Sequence, residues 1–485
     1  MVFSSYLFIF YFLPLSLVLY YLAPQRGRHL LLTVLSYIFY GWVNPWFVVL
    51  MFASSTVDYI AGLVVSGDLG RSWKEPPPYL IKGGPRTRFQ KGAMIASVAS
   101  NLALLGFFKY FNFGVENYNS LVAALGLSHL GVEDMIRITL PLGISFYTFQ
   151  SMSYAIDVYR GEARPIRNFI DFLCFVAMYP QLVAGPIVRF QEVSEQLRER
   201  SHTAEKFARG VAFFACGLAK KTLLANPCGK IADLCFDAGS IGWLDSWLGL
   251  ISYSFQIYFD FSGYSDMAVG LGLMLGFVFC KNFDSPYKSM SITEFWRRWH
   301  LSLSILLRDY LYIPLGGNRK GEARTYANLA TVMLLGGLWH GASWNFVIWG
   351  GIHGGMLALE RLQGKTSLYH RLPGFVRVAL TFGIVSLAWV FFRATDLHAS
   401  LGYIKSLFGG GAVDANARLL DGLIYQPYYV ISLVLAGVIV WCAPQAWDFT
   451  RRLSWARATW CLAIMMVAIA TTVTQAYNPF IYFIF

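Results

Sequence analysis

The sequence predicts an all-α, polytopic integral membrane protein, with roughly ten or more transmembrane or re-entrant helices around a central cavity. Two observations carry that expectation. Of its 485 residues 56% are hydrophobic and 17% aromatic, while only 14% are charged; average soluble chains hold roughly 45–50% apolar and about 25% charged residues. Mean hydropathy is +0.49. A soluble chain could not hide so many Phe, Tyr, Trp and Leu side chains and keep a wettable surface. The same figures exclude disorder. Seven cysteines without a C-x-x-C pair exclude a disulfide scaffold. The surplus of 39 Lys+Arg over 27 Asp+Glu, a formal +12, points to cytoplasmic loops rather than to nucleic acid.

A spanning helix needs about 20 mostly apolar residues. Stretches free of Asp, Glu, Lys and Arg run over 2–24, 29–57, 92–108, 138–156, 172–188, 246–259, 267–280, 325–359, 378–392, 422–447 and 458–485. Some are too short to span alone, and others are long enough for a hairpin. The first lacks a basic n-region and a small-x-small cleavage site, so it is expected to stay as an anchor rather than leave as a signal peptide. Basic residues set the orientation. Arg26 and Arg28 follow the first span, the Val43-Asn44-Pro45 turn is uncharged, and Arg71, Lys74, Lys82, Arg86, Arg88 and Lys91 crowd the next loop. The N-terminus is therefore expected outside and the 66–91 loop in the cytoplasm. Arg361, Lys365, Arg371 and Arg377 mark a second cytoplasmic loop, and Arg451, Arg452 and Arg457 a third. The balanced 395–421 segment and the C-terminus fall outside, while the mixed charges between 160 and 324 assign neither side. With no internal repeat or domain boundary, 1–485 reads as one membrane-embedded domain.

Ionisable groups at membrane depth cost at least a few kcal/mol and are functional candidates by default. The run SITEFWRRWHLSLSILLRDYLYIPLGG begins at Ser291. As one helix it places Arg297, His300, Ser304 and Arg308 in a narrow stripe. Such a stripe suits either lipid headgroups at an interface or the phosphates of an anionic donor. In LLGGLWHGASWNFVIWGGIHGG, His340 lies among Trp339, Trp344 and Trp349, with glycines at 336, 337 and 341 that allow close helix approach and leave room beside the ring. It is either a catalytic imidazole or a histidine bonded to a carbonyl within a helix interface. His353 lies nearer the cytoplasmic end, where a headgroup-level histidine is ordinary. Asp260 and Asp266 interrupt the run from Tyr258 to Gly276, as supporting polar groups that could relay protons, orient a histidine or pair with the stripe's arginines. The 141–189 region holds Gln150, Asp157, Arg160 and a Pro-Gly-rich run, and reads as a broken or re-entrant segment. No metal-ligand spacing, nucleophile elbow or kinase signature appears.

FWRRWHLSLSILLRDYL followed by GGLWHGASW resembles the membrane-bound O-acyltransferase family. The blocks YFDFSGYSDMAVGLGLMLGF, MVFSSYLFIFYFLPL and LPLGISFYTFQSMSYAIDVYRG are similar to its polysaccharide-acetylating branch, which serves alginate O-acetylation. The similarity covers most of the chain and is densest over 140–359, the expected catalytic core. The resemblance implies that His340, in the W-H-G motif, is the essential histidine and that His300, in R-x-W-H, is the second. It further implies a cytoplasmic acyl thioester donor, most simply acetyl-CoA, with no bound cofactor. Transfer would cross the bacterial inner membrane to periplasmic acetyltransferase partners and an exported polysaccharide. Rival expectations are a D-alanyl or other acyl transferase of the same family, a scaffold in a secretion complex, and a transporter using Asp260, Asp266 and His340.

Overall fold

The computed structural model describes residues 1–72, 74–132, 137–364, 366–411, 413 and 415–481. Lys365, expected in the second basic loop, lies outside them, as do the last four residues of the 458–485 stretch. Among the described residues there are helices and no strand, as the all-α expectation requires.

The chain forms two compact units. The first, built mainly from Leu7–Phe207, contains α1 (Leu13–Leu22), α2 (Arg28–Gly41), α3 (Trp46–Ser66), α4 (Arg88–Ala124), α5 (Ile144–Arg160), α6 (Phe169–Ala177), α7 (Tyr179–Leu182) and α8 (Phe190–Arg198). The uncharged turn at 43–45 divides the 29–57 stretch into a hairpin of α2 and α3. Polarity along α3 is inverted relative to a soluble helix. Ser55, Asp58 and Ser66 are buried, while Trp46, Val49, Phe52, Val57 and Ile60 are exposed. An apolar exterior over a polar interior is what hydrocarbon surroundings select. The span continues past Asp58, where the charge-free stretch stopped, because that carboxylate is satisfied internally by Ser97, Asn101 and Ser151. The break expected over 141–189 is present: α6 and α7 are short, and residues 172–188 are wholly buried.

The second unit holds most of α9 (Ala204–Ala219), a π-helical turn (Lys220–Ala225), α10 (Asn226–Phe236) and all but the end of α11 (Trp243–Met274). It continues with α12 (Ile292–Trp296), α13 (Leu301–Leu307), α14 (Glu322–His340), α15 (Trp344–Leu362) and α16 (Gly374–Arg393). Further helices include Pro427–Cys442 and Trp455–Thr474. Helix α3, helix α4, helix α16 and Trp455–Thr474 are each long and apolar enough to cross a membrane, and Phe8–Leu22 and Pro427–Cys442 are shorter apolar helices.

The 325–359 stretch forms a hairpin, with α14 and α15 joined at 341–343. Glycine makes it possible. A Cβ at Gly337 would collide with the Phe346 carbonyl, and one at Gly350 with the Met333 carbonyl. Both obstacles are backbone and cannot swing aside. Gly337→Ala is therefore expected to force the helices apart and destabilise the protein by about 1–3 kcal/mol; an unchanged unfolding midpoint in detergent would contradict this close packing.

Candidate active site

Helix α14 lays Leu329, Val332, Met333, Gly336 and His340 along one side of a cavity of about 290 Å³. At 1.5 Å per residue this line is about 16 Å long. His340 ends it, as the last residue of α14 beside the hairpin turn. Trp296, Arg297, Ser304 and Arg308 form part of the facing wall. Arg297 and Arg308 are both exposed, and Arg308 pairs with Asp309 at 2.7 Å. The His340 ring sits among Trp339, Trp349 and Phe392, with centroids 4.9, 5.3 and 5.1 Å away. It also borders a much smaller hollow of about 10 Å³ lined by Phe261, Trp299, Trp389 and Ile481. One imidazole thus touches both spaces.

The expected continuous stripe is not formed. Helix α12 ends at Trp296, and His300 takes a left-handed conformation (φ 44°) as the N-cap of α13. That conformation costs a non-glycine residue roughly 1–3 kcal/mol, and it turns His300 inward. His300 is completely buried and does not line the cavity that Arg297, Ser304 and Arg308 share with His340. Asn282 holds it there. Asn282 Oδ1 accepts hydrogen bonds from the Ser302 backbone N–H at 3.2 Å and the Ser302 hydroxyl at 2.9 Å, and lies 3.1 Å from His300 Nδ1. A backbone N–H can only donate, which fixes this atom as the amide oxygen. His300 Nδ1 is therefore the donor, leaving a lone pair on the buried Nε2, which has no hydrogen-bond partner among the described residues. The ring meets Phe261 edge-on at 4.6 Å and Trp339 at 6.0 Å. Two aromatic rings are thus shared between the surroundings of the two histidines.

Asp260 and Asp266 pair with neither arginine. Lys221 Nζ lies 2.7 Å from Asp260 Oδ1, with both side chains buried, and Lys220 Nζ lies 2.7 Å from Asp266 Oδ2. The π-helical turn delivers both lysines. Asp260 Oδ2 also accepts the Ile481 backbone N–H at 2.9 Å, and Lys221 donates to the Pro479 carbonyl. This ion pair therefore anchors the segment whose Ile481 borders the small hollow beside His340. Lys220 and Lys221 fall outside every charge-free stretch, although two lysines inside GLAKKTLLA are a visible signal. Asn282 carried none. His353, near the cytoplasmic end of its segment by the sequence reading, is fully buried, and its Nδ1 accepts the Trp296 indole N–H at 3.2 Å. Among the described residues no group of His, Cys, Asp and Glu is arranged to hold a metal.

Residues 162–392 match the profile of the membrane-bound O-acyltransferase family, a range that contains the whole cavity lining. The chain is 44% identical to a probable alginate O-acetylase, AlgI, of Pseudomonas putida over the full length of both. It is 33% identical to a peptidoglycan O-acetyltransferase of Helicobacter pylori, covering 100% of this chain and 98% of that one. A teichoic acid D-alanyltransferase of Streptococcus thermophilus is 30% identical over 49% of this chain and 61% of its own. Buried polar groups beneath an apolar exterior, a histidine on a cavity, and relatives matched from end to end agree: the chain belongs to the membrane-bound O-acyltransferase family and is a multi-pass membrane acyltransferase.

Proposed function

We propose that the protein takes an acetyl group from a cytoplasmic thioester, most simply acetyl-CoA, and passes it across the inner membrane for O-acetylation of an exported polysaccharide such as alginate. The observation that carries this reading is the position of His340, at the end of one cavity walled by two arginines and beside a second, smaller space. Helices α14 and α15 form a hairpin, so the start of α14 lies on the same side as the end of α15. Arg361, Arg371 and Arg377 mark that side as cytoplasmic, and the cavity runs from there towards His340. On the same charge rule the N-terminal end of the chain and its last residues lie in the periplasm.

The chemistry needs a base, an electrophilic acyl carbon and stabilisation of the tetrahedral oxyanion. An acceptor hydroxyl, on a periplasmic acetyltransferase partner or on the polymer, attacks the thioester carbonyl. Its proton passes to the His340 imidazole as the C–O bond forms. The C–S bond then breaks and the imidazole returns the proton to the thiolate, releasing an ester and a free thiol. Arg297 and Arg308 bind the donor's phosphates. His300 supports the reaction through the aromatic wall that it shares with His340. A transporter reading loses support because Asp260 and Asp266 are each committed to a lysine.

Purified protein mixed with acetyl-CoA and a hydroxyl acceptor is expected to release free thiol in step with ester formation. Arg297→Ala and Arg308→Ala should each raise KM for acetyl-CoA by about tenfold, as expected for loss of a charge-assisted contact. Unchanged KM in both variants would remove the phosphate role. Absence of thiol release by the wild type would remove acetyl-CoA as donor.

A further inference from the structure

Two buried ionisable side chains of α15 have no part in the chemistry above. His353 and Glu360 are both inaccessible to solvent. Seven residues apart, they project from one face of α15, two turns from each other. Both reach α12. Glu360 Oε1 accepts the Ile292 N–H at 2.7 Å, and Oε2 accepts the Thr293 N–H at 2.8 Å. These amides begin α12 and have no partner within the helix. Trp296, at the other end, donates its indole N–H to His353 Nδ1 at 3.2 Å. An indole only donates, so Nδ1 carries the lone pair and Nε2 the proton. The His353 ring also lies 4.8 Å from Trp349, which in turn packs 5.3 Å from His340.

A helix of five residues is far below the length that is stable alone, about 12–15 residues. Its position is set by what grips it, and α15 grips it at both ends. Thr293, Trp296 and Trp349 line the cavity, and Arg297 follows α12 directly. We infer that His353 and Glu360 are positioning residues that hold α12 so that Trp296 and Arg297 form the donor-side wall, thereby setting donor affinity rather than the rate of acyl transfer. This rests on the cavity being the acyl-donor chamber.

The test uses the full-length protein in nanodiscs with acetyl-CoA as probe. His353→Phe keeps the ring's bulk and removes the acceptor, while His353→Asn keeps an acceptor oxygen near the Nδ1 position. KM for acetyl-CoA is expected to rise about five- to tenfold in His353→Phe, with the loss in kcat/KM carried by KM, and to return to within about twofold of wild type in His353→Asn. Hydrogen exchange of the 292–299 backbone, measured without donor, should quicken in His353→Phe and in Glu360→Gln. A wild-type KM in His353→Phe overturns the inference whatever exchange shows, and so does an Asn variant no better than Phe. If the wild type does not saturate with acetyl-CoA, the donor assignment has failed. Exchange then decides separately, and unaltered exchange in both variants overturns the clamp.

Discussion

Replacing His340 by alanine is expected to abolish acyl transfer while leaving the protein folded in the membrane. Loss of a positioned general base costs about 10²–10⁴ in rate, which would take polymer acetylation to background. The fold should tolerate the change. His340 is the last residue of α14 and only partly buried, and the hairpin is held by backbone approach at Gly337 and Gly350. Its aromatic neighbours Trp339 and Trp349 are themselves buried, so the truncation enlarges an existing space. The check pairs acetyl content of the exported polymer with membrane abundance and unfolding midpoint. Full acetylation by this variant would exclude His340 as the base.

Asp260→Asn is expected to produce the largest loss of stability, about 3–5 kcal/mol, because it leaves the Lys221 ammonium buried without a counter-charge. Lys221 and Asp260 are 3% and 1% exposed, so water cannot take over. The effect should reverse in Lys221→Met combined with Asp260→Asn, which removes both charges and keeps an acceptor for the Ile481 N–H. Unfolding in mixed micelles measures the cycle. A double variant as unstable as Asp260→Asn alone would show that the cost lies in packing rather than in the stranded charge.

Composition made the membrane class legible, because 14% charged residues admit no soluble surface of this size. Element boundaries were less so. Ending each span at the first charge cut α3 short at Asp58 and hid Lys220 and Lys221, since a charge is tolerated at depth when a neighbouring helix satisfies it. His340 was conspicuous in one dimension, being a polar residue in an apolar run. The stripe through His300 was also a sound helical projection, but one left-handed residue defeats a projection, and the Asn282 that holds it lies eighteen positions away. The roles of His353 and Glu360 were hidden for the same reason, as their partners belong to a different helix.

Under the proposed mechanism the protein breaks a thioester bond and moves only the acyl group. Proteoliposomes given acetyl-CoA labelled separately in the acetyl group and in the CoA moiety test it directly, with a hydroxyl acceptor enclosed in the lumen. The expected result is acetyl label recovered as ester inside, CoA label retained outside as free thiol, and neither change with His340→Ala. Both labels entering together, or ester formation that survives His340→Ala, would contradict it.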